Sequence, residues 1–207
     1  MTIDVWATIF SERKGLGADL DGITPQQWDT RSLSTEWTVR DVVAHMAATA
    51  RLSGAAFFPK LIGSGFSLKR LQRKDIARER GASPDDTLRN FKSIMESKGR
   101  PPGPLDTMLG EVIIHSEDIR RPLGIAHQYP IDAVVQVADF YKGSNLIIGA
   151  KRRIAGVSLR ATDAEWQHGS GPPVSGPITS LVMAMTGRRP PLDDLTGDGV
   201  AILRERN

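Results

Sequence analysis

Cysteine is absent from this 207-residue chain, which excludes disulfides, cysteine-ligated zinc and a protein thiol nucleophile. Any metal must be held by histidine and carboxylates, and any thiol chemistry needs a thiol from outside. No run of about 18 apolar residues occurs, so no segment is long enough to span a bilayer, and no membrane partner is expected. The opening "MTIDVWATIFSERKG" lacks a basic start, an apolar stretch and a small-residue cleavage site. It does not resemble a secretion signal, and the expected location is the cytoplasm. Charge of one sign is also scarce: 27 basic against 24 acidic residues leave +3. That is too mild to argue for nucleic acid. The one basic concentration, "KRLQRKDIARER" at residues 69–80, has no interleaved aromatics on which bases could stack and reads as a solvated face or loop.

What is present describes an ordinary globular protein, 40% hydrophobic and 25% charged. Val5, Ile9, Leu16 and Leu20 recur at loosely helical spacing, interrupted by Gly15 and Gly17, and predict a first helix over residues 3 to about 20. A loop with Trp28 and Trp37 as packing anchors leads into "WTVRDVVAHMAATARL". There Thr38 and Asp41 suit a capping box, and Trp37 suits a staple onto Val42. Val42, His45, Met46, Thr49 and Leu52 then share a face, which puts His45 on an apolar stripe.

"SGAAFFPKLIGSGF" reads as a turn, whereas Ser83, Pro84, Asp85 and Asp86 mark a strong helix start. Further helices are expected from about Leu105 to Arg121 and over "IDAVVQVADFYKGSNLIIGAKRR". After residue 155 the pattern changes. "GVSLRATD" alternates like a strand, "WQHGSGPPVSGP" reads as a loop, "ITSLVMAMTGR" as a short helix and "DGVAILRER" as a final strand or edge. His127 and His168 fall in predicted surface loops. The organisation implied is a mainly α body over residues 1–153 followed by a small α+β segment over 154–207.

The stretch "GEVIIHSEDIRRPLG", residues 110–124, sets Glu111, His115 and Asp118 four and three apart among Val112, Ile113, Ile114 and Ile119. Residues four apart on a helix lie on one face, roughly 5–6 Å apart at Cβ, so Glu111 and His115 can approach one ion together. His45, the other histidine inside a predicted helix, can supply a third ligand. A His, Glu, His set leaves a tetrahedral zinc ion with one open position, and Asp118 can orient His115. Glu111 and His115 can equally form a surface pair, and His45 a hydrogen-bonded core histidine. Arg188, in "TGRRPP", can bond the last carbonyls of its helix or hold a substrate carboxylate with its planar fork. Neither a phosphate-binding loop nor a serine-nucleophile elbow is present.

These motifs carry a family resemblance. "EWTVRDVVAHM" resembles the second-helix signature of the mycothiol-dependent maleylpyruvate isomerase family, within the DinB-like superfamily of four-helix metal proteins. "LGEVIIHSEDIRRPLG" resembles the family's second signature, and the segment from "LRATDAEWQHGSG" to "LTGDGVAIL" is similar to its small C-terminal α+β part. The resemblance implies a DinB-like four-helix bundle binding a divalent metal, usually zinc, through His45, Glu111 and His115.

It further implies an external low-molecular-weight thiol such as mycothiol, a small-molecule substrate, and a monomer or homodimer. In the characterised isomerases the thiol adds to an activated double bond, and elimination after rotation gives the trans isomer. Other superfamily members resemble thiol S-transferases, so isomerase and S-transferase are both expected classes. The rival expectation is a non-catalytic bundle that keeps its metal and binds a small ligand or partner.

Overall fold

A computed structural model describes residues 3–34, 36–145 and 148–207, and the chain divides into two compact units, Asp4–His127 and Gln128–Asn207. The first unit is all helix: α1 Val5–Asp21, the short α2 Pro25–Trp28, α3 Val39–Ala50, α4 Gly54–Ile62, α5 Leu68–Arg80, α6 Pro84–Lys92 and α7 Asp106–Leu123. Helix α1 packs on α6 and α7, and α3 packs on the same two, so these four close a ring; α5 lies against α3 and α6. Inside the ring Ile9, Leu16, Val42, Val43, Met46, Phe91, Met108, Leu109, Val112 and Ile113 are fully or almost fully buried. Each such side chain contributes about 1.5–3 kcal/mol relative to exposure.

Local chemistry sets the helix ends. Thr38 and Asp41 form the expected capping box, with the Thr38 N–H donating to Asp41 at 3.0 Å and the Asp41 N–H donating to Thr38 Oγ1 at 3.3 Å. Ser83 and Asp86 do the same for α6. Behind the end of α3, Gly99 comes so close that a Cβ would stand 2.2 Å from the Ala50 carbonyl oxygen, so only glycine fits. Helix α7 ends on Gly124 at φ 69°, the left-handed position glycine adopts freely, with the Ile125 N–H closing back on the Arg120 carbonyl at 2.9 Å. Pro122 lies within its last turn and has no N–H to offer the Asp118 carbonyl; the Leu33 N–H takes that carbonyl instead, at 3.2 Å.

The second unit holds α8 Ile131–Lys142, α9 Ala150–Arg153, β1 Ser158–Ala161, β2 Gln167–Gly169, β3 Pro173–Gly176, α10 Ile178–Met185, a 3-10 turn Pro190–Asp194 and α11 Gly199–Arg206. The sheet order is β2-β1-β3. Leu159 lies opposite His168 in the antiparallel pair and opposite Val174 in the parallel pair. Helix α10 covers β1 and packs on α8. The chain is thus mainly α with a small C-terminal sheet, a DinB-like helical fold.

Several segments differ from the sequence expectation. The predicted turn at 53–66 contains helix α4, capped by Ser53, whose hydroxyl accepts the Ala56 N–H at 3.2 Å, with Pro59 accommodated inside. Residues 69–80 are a helix whose inner face buries Leu71, Asp75, Ile76 and Glu79. The expected final strand is helix α11, whose buried Gly199 and Leu203 stand four apart, a helical rather than a strand period. The expected loop after Trp166 contains β2 and β3. The single helix expected over 131–153 is two helices, and the part of that reading on residues 146 and 147 lies outside the described residues. Helix α8, expected in the body that ends at residue 153, lies in the unit Gln128–Asn207, where it buries Ala133, Val134, Val137, Ala138 and Tyr141 and packs on α10.

Candidate functional site

Helix α3 carries His45 and helix α7 carries Glu111, His115 and Asp118, and the packing of α3 on α7 brings the imidazoles together. The His45 and His115 rings stand 4.9 Å apart, centre to centre, edge to face at 83°. His115 Nδ1 meets Asp118 Oδ2 at 2.9 Å, and the Asp118 side chain is fully buried. That contact fixes the ring and leaves Nε2 as the His115 nitrogen for other work.

Trp37 completes the cluster, with its ring 4.8 Å from His45 and 6.1 Å from His115. Sequence reasoning gives Trp37 as a packing anchor and misses its place against the imidazoles. The available signal is its position one residue before the capping box that starts the helix of His45.

Glu111 is the unusual member. Both carboxylate oxygens are sealed from solvent and neither has a hydrogen-bond partner. Burial pushes its carboxyl above the ordinary carboxylate range, while Arg13 and His115 pull it back. Arg13 is itself wholly buried: Nη1 donates to the Ser97 carbonyl at 2.9 Å and to the Ile94 carbonyl at 3.4 Å, while Nε and Nη2 have no hydrogen-bond partner. Burial lowers the Arg13 pKa and Glu111 opposes that shift.

Arg13 lies on the Ile9–Leu16–Leu20 stripe of α1, and that placement, visible in the sequence, is a signal that the motif reading passes over. An isolated buried carboxylate is costly unless a cation or a proton compensates it. Two imidazoles and a carboxylate form a nitrogen–oxygen donor set that suits several divalent ions, so the residue types fit the metal expected. As they stand, no three His, Asp or Glu side chains among the described residues are gathered at ligand spacing.

The remaining sequence candidates lie elsewhere. Arg188 belongs to the second unit, where its Nη1 donates to the Thr186 carbonyl at 3.2 Å, at the end of α10. His127, expected on the surface, meets Glu12 through Nε2 at 2.7 Å and is three-quarters buried; the contact with α1 holds it in. His168 is half-buried in β2, its ring 6.4 Å from that of Trp166.

The first unit is a closed ring of four helices in which the His45 and His115 rings meet, and the fold is DinB-like. Residues 10–97 match the family described as mycothiol maleylpyruvate isomerase N-terminal domain. Two solved structures are similar in fold: a mycothiol-dependent maleylpyruvate isomerase and a histidine-to-alanine mutant of it. Each is 15% identical with TM-score 0.65, over 94% of this chain and 92% of the other. No curated protein sequence matches the chain.

Proposed function

We propose that the chain is a metal-dependent enzyme that uses a low-molecular-weight thiol such as mycothiol, either as a cis-trans isomerase or as a thiol S-transferase. The observation that carries this reading is the Glu111 carboxylate, buried without a hydrogen-bond partner on the same helix as His115, whose ring faces His45. His45, Glu111 and His115 would hold the ion, zinc being the first expectation. Bound there, it would supply Lewis acidity and lower the pKa of a coordinated thiol.

The chain's own residues do the rest. Asp118 holds His115 in one orientation. Trp37 sets its ring beside both imidazoles. Arg13 places a buried positive charge near Glu111, which favours the ionised carboxylate that a metal requires. The match of residues 10–97 to the mycothiol maleylpyruvate isomerase N-terminal domain supports the thiol as co-substrate.

The test is metal analysis of purified protein followed by calorimetric titration of mycothiol into metal-loaded and metal-stripped samples. Near-stoichiometric zinc is expected, with loss of occupancy in His45→Ala and His115→Ala, and an affinity for the ion lowered about 10–100-fold in Asp118→Asn. Thiol should bind only the loaded form. Metal-free protein indifferent to both histidine substitutions would sink the reading. Metal without thiol binding would instead assign the chain to the non-catalytic members of the fold.

A further inference from the structure

Large apolar side chains left in solvent are concentrated in one place. Of the five such residues among those described, Phe58, Ile62, Phe66 and Leu68 fall within eleven positions of one another, in α4 and the link to α5. Helix α4 buries none of its residues. Phe58 and Ile62 stand four apart and share a face. The chain then folds back, with the Gly65 N–H bonding the Ile62 carbonyl and the Phe66 N–H the Leu61 carbonyl, both at 2.9 Å, which draws Phe66 against the last turn of α4. Phe66 takes φ 57°, a left-handed backbone rare for an aromatic residue, and its side chain is 75% exposed.

The hairpin is fastened from beneath. Lys60 bonds Asp75 at 3.3 Å, and Lys74 donates to the Gly63 carbonyl at 3.2 Å. Arg78 is engaged by Asp75 and Glu79, and Arg80 by Asp41. Lys69, Arg70 and Arg73 are different: all three are exposed, and their side chains enter no ion pair or hydrogen bond among the described residues. They adjoin Leu68 at the start of α5. The hairpin therefore combines exposed apolar groups with cations that have no ion pair among the described residues, and residues 54–74 include no Asp or Glu.

We propose that the α4–α5 hairpin docks on an anionic lipid surface, with Phe58, Ile62, Phe66 and Leu68 entering the headgroup boundary and Lys69, Arg70 and Arg73 meeting lipid phosphates. Apolar contact combined with cations is the chemistry of reversible attachment to such a surface. Charge complementarity selects this occupant over a second copy of the chain. A symmetric pairing of two such faces would set the three cations against their own counterparts, whereas an anionic bilayer neutralises them. The attachment is peripheral and leaves the helical ring in water.

Flotation of the full chain tests this, with vesicles of phosphatidylcholine alone and of phosphatidylcholine mixed equally with phosphatidylglycerol. The protein should float with the mixed vesicles only, and high salt should release it. Replacing Lys69, Arg70 and Arg73 by Gln should weaken binding roughly fivefold each, and about a hundredfold together. Phe58→Ser with Phe66→Ser should weaken it at least about tenfold. Circular dichroism should show all variants folded, and the salt dependence of the unsubstituted protein stands independently of them. No flotation with mixed vesicles, or equal flotation with both, would overturn the proposal. So would a concentration-dependent dimer in sedimentation that the same substitutions dissolve.

Discussion

Helix α7 and the α4–α5 hairpin break the same rule in opposite directions. The first keeps Glu117, Asp118 and Arg120 buried and seals the Glu111 carboxylate, in a helix otherwise lined with Val112, Ile113 and Ile119. The second leaves Phe58, Ile62, Phe66 and Leu68 in water. A buried charge and an exposed hydrocarbon patch both cost stability, and each is informative because packing alone does not explain it. The difference lies in compensation. In α7 most of the charges find partners and Glu111 stands out as the exception; on the hairpin the apolar groups stay mostly in solvent, although the Phe58 ring meets that of Phe57 at 5.4 Å. Function is therefore sought at the uncompensated carboxylate inside and at the uncompensated surface outside.

The largest effect that would test this contrast concerns a compensated charge. Arg120 is fully buried, donates through Nε to Asp19 at 2.8 Å and lies 3.8 Å from Glu12, which also holds His127. Arg120→Met should cost about 3–5 kcal/mol in urea unfolding, because removing one partner leaves buried carboxylate charge behind. A cost below about 1 kcal/mol would show that the α1–α7 charges are not mutually stabilising, and Glu111 would no longer be exceptional.

Glu111 should behave in the opposite sense. Its carboxyl is pushed up by burial in the folded chain, so in metal-free protein its contribution to stability is fully present below the ordinary carboxylate range. That contribution is lost as pH rises from there through the raised folded value. Metal-stripped protein should therefore lose stability with rising pH over that window. Glu111→Gln should flatten that part of the profile and be the more stable form at neutral pH. Thermal melts from acidic to neutral pH, with and without zinc, give the answer; an unchanged slope in the variant would assign the pH dependence to other groups.

How much of this is legible in the sequence depends on whether a signal is local. Capping residues act within four positions, and Thr38, Asp41, Ser83 and Asp86 mark the starts of α3 and α6 by their spacing alone. The spacing of Glu111, His115 and Asp118 is likewise a property of one helix, and the contact between His115 and Asp118 follows from it. What the sequence does not reveal depends on packing between segments: Trp37 against His45, Arg13 near Glu111, and Leu33 taking the carbonyl that Pro122 leaves open. Helix α4 is illegible for a further reason. None of its apolar positions is fully buried, Phe57 and Leu61 being only half-buried, so the usual link between an apolar stripe and a core is weak there, while Gly54 and Pro59 suggest a turn. Strands β2 and β3, three and four residues long, are too short for alternation to distinguish them from loop.

The smallest effect sharpens the outer half of the contrast. Phe66 holds a left-handed backbone conformation with a side chain that buries little, so its aromatic ring gains the fold almost nothing in return for the strain. For a non-glycine residue that conformation costs roughly 1–2 kcal/mol, and glycine adopts it freely at some cost in chain entropy. Phe66→Gly should therefore raise stability by about 0.5–1 kcal/mol in denaturant unfolding while lowering vesicle binding. Gain of stability with loss of binding is the signature of strain retained for a surface role. Loss of stability on that substitution would mean that the ring packs on its own chain, and the hairpin would then be an ordinary covered element rather than an open face.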